Sequence, residues 1–94
     1  MKKSIWKYVI ELKEWPNPIF DIPKGGIVLT AQLQHEKICI WVEVDPNADH
    51  EERMFEIFGT GHPIREDMGV ERKYISTVQD NFGKLIWHVY ERIN

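Results

Sequence analysis

Residues 27–44 read Ile27-Val28-Leu29-Thr30-Ala31-Gln32-Leu33-Gln34-His35-Glu36-Lys37-Ile38-Cys39-Ile40-Trp41-Val42-Glu43-Val44. Apolar and polar residues alternate on both sides of a short polar break, and a period of two marks strands rather than helices. Ile27, Leu29, Ala31 and Leu33 are expected to face one way, with Thr30, Gln32 and Gln34 facing the other. In the second half Ile40, Val42 and Val44 take one side, and Cys39, Trp41 and Glu43 the opposite one. The gap at His35-Glu36-Lys37 is short enough to join antiparallel neighbours. The stretch is therefore predicted to be a β-hairpin at the centre of the sheet structure.

The same style extends outward in both directions. Over residues 4–12, Trp6, Tyr8, Ile10 and Leu12 alternate with Ser4, Ile5, Lys7, Val9 and Glu11. Near the end, Leu85, Trp87 and Val89 alternate with Ile86, His88 and Tyr90. Ile19–Ile22 reads as a short extended piece and Tyr74–Val78 as a further run. Trp15-Pro16-Asn17-Pro18, Pro23-Lys24-Gly25-Gly26, Asp45-Pro46-Asn47 and Asn81-Phe82-Gly83 are the punctuation between runs. Residues 49–58 admit two readings. Asp49 and Glu52 resemble a capping box, followed by Met54, Phe55, Ile57 and Phe58 at helical spacing and by Gly59 as a stop. The rival is a strand over Arg53–Phe58 with Phe55 and Ile57 inward, and the aromatic content favours it. The fold class expected is all-β: a small antiparallel β-sandwich, or a strongly curved sheet, of six or seven short strands. Several strands carry apolar residues on both faces, so two sheets must stack or a second chain must cover the outer face.

Composition narrows the function classes. The 94 residues hold 12 Lys and Arg against 15 Asp and Glu, a net charge of −3, which speaks against broad nucleic-acid binding. A chain that is 43% hydrophobic and 29% charged folds rather than staying disordered. Its length suits a single domain over residues 1–94, with one thin core. No apolar run approaches the ~20 residues of a membrane span. No secretory apolar segment follows Met1-Lys2-Lys3. The one cysteine, Cys39, excludes an internal disulfide and a zinc site built on several Cys. These features predict a cytoplasmic protein that needs no cofactor.

The least ordinary stretch is Phe58-Gly59-Thr60-Gly61-His62-Pro63-Ile64. Two glycines around a threonine permit tight curvature and positive φ. Successive backbone N–H groups in such a bend can converge on an anion. Thr60 adds a hydroxyl and His62 an imidazole, while Arg53 and Arg65 bring positive charge from either side. Gly59, Thr60, Gly61, His62 and Arg65 are accordingly the candidate ligand-binding residues, against the plainer alternative of a strand-ending turn. Eleven Phe, Trp and Tyr exceed what a thin core needs. Trp15, beside two prolines, and Trp41, opposite Ile40 and Val42, are the freer rings. Trp41 is the candidate to stack on a base, or else belongs to a dimer interface. His35, His50, His62 and His88 form no close pair on one element, so no metal site is predicted. Cys39 reads as a buried, inert thiol. Ser4 and Ser76 lack a glycine-framed elbow. Asp45, Asp49, Glu51 and Glu52 read as a solvated loop, and Glu66 and Asp67 as exposed partners for Arg65 or Lys73. No catalytic residue is assigned; His62 and His88 would be the acid–base candidates of an enzyme.

Ile5-Trp6-Lys7-Tyr8, Ile22-Pro23-Lys24-Gly25-Gly26, Trp41-Val42-Glu43-Val44-Asp45-Pro46, Phe58-Gly59-Thr60-Gly61-His62-Pro63-Ile64 and Ile86-Trp87-His88-Val89-Tyr90-Glu91 together resemble a family of short, uncharacterised proteins of tailed bacteriophages. The likeness runs nearly end to end and is most specific at Gly-Thr-Gly-His-Pro-Ile. The Trp15–Pro18 bend is less typical. The resemblance implies a strand at Arg53–Phe58 and a gene expressed in the cytoplasm of an infected bacterium, and it brings no activity. Short phage accessory proteins often counter host defence. Two functions follow as expectations. One is an oligomeric, non-catalytic sponge for a nucleotide-derived immune signal, a cyclic nucleotide or an ADP-ribose-like molecule. The other is a module that docks on and inhibits a host protein. Either way the chain is expected to associate with itself, as a homodimer or larger.

Overall fold

The computed structural model describes residues 2–13, 15–65, 69–80 and 82–93. Seven strands follow one another: β1 (Ser4–Val9), β2 (Asn17–Pro23), β3 (Ile27–Gln34), β4 (Lys37–Val44), β5 (His50–Gly59), β6 (Arg72–Gln79) and β7 (Ile86–Arg92). They form two antiparallel sheets, of order β1-β4-β3 and β2-β5-β7-β6. The stacked-sheet form of the all-β expectation is the one adopted. Residues 49–58 contain no helix: β5 takes the strand alternative, with Phe55 and Ile57 buried between the sheets.

The central hairpin closes through a two-residue turn, with Gln34 paired to Lys37. His35 and Glu36 both have positive φ, at 50° and 64°. That is the type I′ geometry whose twist matches the strands it joins. The facing of β3 corrects the expected pattern. A bulge lies between Val28, paired with Val42, and Thr30, paired with Trp41. One extra residue inverts the alternation. Val28 therefore packs toward the core with Ala31 and Leu33, while Ile27 and Leu29 turn to solvent. Glu51 and Glu52 also depart from the loop expected of them and lie on β5. The pairing expected of Glu66 and Asp67, and the Asn81 end of its turn, lie outside the described residues.

Between the sheets, Ile38, Ile40, Val42 and Val44 of β4 meet Phe55 and Ile57 of β5 and Val89 of β7. Cys39 is buried, its thiol near the Lys37 carbonyl at 3.6 Å. Side chains stitch the two lateral seams. The Tyr8 hydroxyl donates to the Asp21 carbonyl at 3.0 Å, tying β1 to β2. At the other seam the Ala31 N–H donates to Ser76 Oγ at 3.0 Å. Arg53, placed by sequence beside the candidate loop, is used for structure. Its guanidinium donates to both carboxylate oxygens of Glu91, at 2.6 and 2.8 Å, and to the Gly26 carbonyl. The Glu91 bond holds the Arg53 pKa above its ordinary value, against the opposing effect of burial.

Candidate functional site

The outer face of the four-stranded sheet is built from the residues that alternate with the core. Glu56, Tyr90 and Tyr74 stand in one cross-strand row, and Phe58, His88 and Thr77 in the next. Residues so placed are normally wet, yet Glu56 is only 1% exposed and Phe58 is buried. Neighbouring groups account for this. Trp15 sets its ring edge-on to Phe58 with centroids 5.1 Å apart, and Phe58 in turn meets Tyr90 at 5.6 Å. The Arg72 guanidinium lies 5.7 Å from the Phe58 centroid. It donates to Glu56 through Nε at 2.9 Å and Nη2 at 3.4 Å, and through Nη1 to the Arg65 carbonyl at 2.9 Å. Arg72 thus neutralises a buried carboxylate and anchors the chain that descends from the Gly-Thr-Gly turn.

That turn has definite geometry. The His62 N–H donates to the Gly59 carbonyl at 3.0 Å, and Gly61 has φ +87°. A positive φ at the third position is the type II arrangement that calls for glycine. The Gly59 N–H donates to His62 Nδ1 at 3.2 Å. With Nδ1 accepting, the neutral ring carries its proton on Nε2, which is left to donate elsewhere. Two N–H groups of the turn are thereby used internally, and the N–H groups of Thr60 and Gly61 are not among its bonds. The Thr60 hydroxyl is committed to His88 Nε2 at 2.8 Å, and His88 Nδ1 to Thr77 Oγ1 at 3.0 Å.

Beside the turn opens a cleft of about 640 Å³ whose walls include Trp15, Asn17, Phe58, His62, Arg65, Arg72 and Arg92. Its lining carries three guanidinium groups against one carboxylate, Glu56, in a chain whose net charge is −3. Two of the predicted site residues, His62 and Arg65, line it. Gly59 and Gly61 shape the adjoining turn, while Thr60 points its hydroxyl to His88. Trp41 sits on β4 in the other sheet and does not line this cleft, where Trp15 and Phe58 supply the aromatic surface.

Sequence reasoning missed Asn17, Arg72 and Arg92. Arg72 and Arg92 oppose each other across β6 and β7, a register that no local motif shows. The signal that could have found the cleft was the unusual freedom of Trp15 between polar residues and prolines. Among the described residues no group of His, Cys, Asp and Glu is arranged to hold a metal ion.

Over residues 1–94 the chain matches the family described as a domain of unknown function (DUF7352), and it belongs to that family. No curated protein and no solved structure matches it.

Proposed function

We propose that this domain is a non-catalytic binding module for a small phosphate-bearing, nucleotide-derived ligand, held in the cleft beside the Gly59–His62 turn. The carrying observation is the concentration of Arg65, Arg72 and Arg92 around one carboxylate, next to the rings of Trp15 and Phe58. Guanidinium groups bind phosphate oxygens with directed, charge-assisted bonds. A flat ring beside them suits a base. His62, which lines the cleft, adds a neutral Nε2–H donor. In the setting that the phage resemblance implies, the ligand is an immune signal, such as a cyclic nucleotide or an ADP-ribose-like molecule, and the protein sequesters it in the host cytoplasm.

Calorimetry against cyclic dinucleotides and cyclic ADP-ribose isomers tests this reading. At least one should bind, raising stability by about 2.7 kcal/mol when present at a hundredfold its Kd. Arg92→Ala should weaken that binding at least tenfold and steepen no thermal transition. A panel without heat or thermal shift removes this reading.

One observation favours a second reading, docking on a host protein. Ile5 and Ile27 flank Glu43 in one row of the three-stranded sheet, and both are exposed, as is Leu29. Exposed apolar side chains around a carboxylate on an outer face suit a protein surface.

A further inference from the structure

The two ends of the sandwich are finished differently. Where β3 begins, polar groups meet: the Arg53 guanidinium bridges Glu91 and the Gly26 carbonyl. At the opposite end, between the β3–β4 turn and the loop from Asp80 to Leu85, a cavity of about 480 Å³ opens, and its floor is apolar. Ile10, Leu33, Ile38 and Trp87 line it. Ile10 and Ile38 belong to the core, and Leu33 and Trp87 pack against that core. The register agrees, since Leu33 pairs with Ile38 and Trp87 with the buried Val78. At the rim Leu12, Leu85 and Phe82 are exposed, Phe82 by 84%. The loop that presents Phe82 is bonded in place. The Asp80 carboxylate accepts from the Phe82 and Lys84 N–H groups at 3.1 and 2.8 Å, and the Gly83 N–H donates to the Asp80 carbonyl at 3.0 Å. A concave apolar cavity of this size with a few polar groups around it has the form of a binding pocket.

Charge selects what this pocket takes. Its lining carries three carboxylates, Glu11, Glu36 and Asp80, against one cation, Lys37. Among the described residues Glu11 and Glu36 enter no ion pair. The cleft beside the Gly59–His62 turn has the reverse balance, so the two sites call for opposite partners. We propose that this end of the sandwich is a second binding site, which takes a peptide segment of a partner protein whose bulky apolar side chains stand next to Lys or Arg. An apolar side chain enters over Leu33, Ile38 and Trp87, packs against Phe82 and Leu85 and leaves water. The flanking cations meet Glu11 and Glu36 at the rim, which steer the encounter and reject acidic segments. The site rests neither on the phosphate reading of the other cleft nor on the exposed side chains around Glu43.

The test is an NMR titration of the whole protein with three end-blocked tetrapeptides: Lys-Phe-Leu-Lys, Glu-Phe-Leu-Glu and Lys-Ser-Ser-Lys. The first should shift the amides of Leu33, Ile38 and Leu85, and should bind about tenfold more tightly than either of the others. Added salt should weaken it, because the rim charges are exposed. Leu12 and Trp87 line both cavities, so the variants are taken from residues that line only this one. Phe82→Ser should weaken Lys-Phe-Leu-Lys about tenfold. Glu11→Lys should do the same and should improve binding of the acidic peptide. Both positions are exposed, so the circular dichroism of each variant should match the wild type; should one fail to fold, the other decides. Equal binding of the basic and acidic apolar peptides by the wild type overturns the proposal. So does the absence of binding by Lys-Phe-Leu-Lys, or binding that survives in the folded variants. If the protein self-associates and Phe82→Ser abolishes this, a second copy occupies the pocket and the proposal falls.

Discussion

Gly59 and Gly61 are two residues apart and are glycine for different physical reasons. A Cβ on Gly61 would meet nothing within 4 Å, so its requirement is the backbone angle of +87° alone. A Cβ on Gly59 would come within 2.8 Å of the His62 imidazole, so its requirement is the close approach of that ring. The two alanine variants should therefore fail differently. Gly61→Ala should lower stability by about 1–2 kcal/mol, the cost of a left-handed conformation in a residue with a Cβ. It should leave the His62 ring where it is. Gly59→Ala should displace the exposed His62 side chain and break its bond to the Gly59 N–H, weakening anion binding with a smaller loss of stability. Urea unfolding together with the His62 ring shifts by NMR separates the cases. A Gly61→Ala protein as stable as the wild type would contradict the turn described here.

At the scale of elements, side-chain hydrogen bonds cross both seams between the sheets. Ser76→Ala removes the acceptor of the Ala31 N–H, which should cost about 1–3 kcal/mol if that amide is left unmet. The opposite seam responds to pH. Burial, and then the charge of Asp21, raise the Tyr8 pKa above its ordinary value. A raised folded value means that the native state holds this proton more tightly than the unfolded chain. The corresponding stability is complete below the ordinary tyrosine range, about pH 10, and is lost as pH climbs through the raised value. Tyr8→Phe should cost about 1 kcal/mol at neutral pH and flatten the alkaline limb of the stability curve; an unchanged limb in a pH series of urea melts would refute this. The hairpin at residues 27–44 was legible because alternation and a short turn are local properties. The β3 bulge was not, because an extra residue is defined only against the partner strand. Glu56 and Arg72 were equally silent: each occupies the polar phase of its strand, and only the register of β5, β7 and β6 brings them together. Half of the cleft was legible for the same reason, His62 and Arg65 belonging to one local motif while Asn17, Arg72 and Arg92 arrive from three separate strands.

The whole molecule treats its two outer faces unequally. Over the four-stranded sheet, Trp15 and the Arg72-anchored chain at Arg65 cover Phe58 and Glu56. On the three-stranded sheet Ile5 is 60% exposed, with Ile27 and Leu29 exposed and Trp41 half-buried. The stacked sheets already supply a core, so self-association is not needed to bury the strands' inner faces. What it can still cover, among the described residues, includes the apolar side chains of this outer face. A homodimer is accordingly expected to form through the β1-β4-β3 sheet, each copy withdrawing Ile5, Ile27, Leu29 and Trp41 from water. A pairing of like faces repeats the same contacts on both subunits, so one substitution acts twice. Leu29→Glu should place two carboxylates in the interface and return the protein to a single subunit, leaving the secondary structure intact. Arg92→Ala, on the other sheet, should not alter the assembly. Sedimentation at micromolar concentration reads both. The wild type should run well above its subunit mass of 11.2 kDa and Leu29→Glu at that mass. A wild type that sediments as one subunit would leave the exposed row to a different protein partner, and a dimer indifferent to Leu29→Glu would place the contact elsewhere.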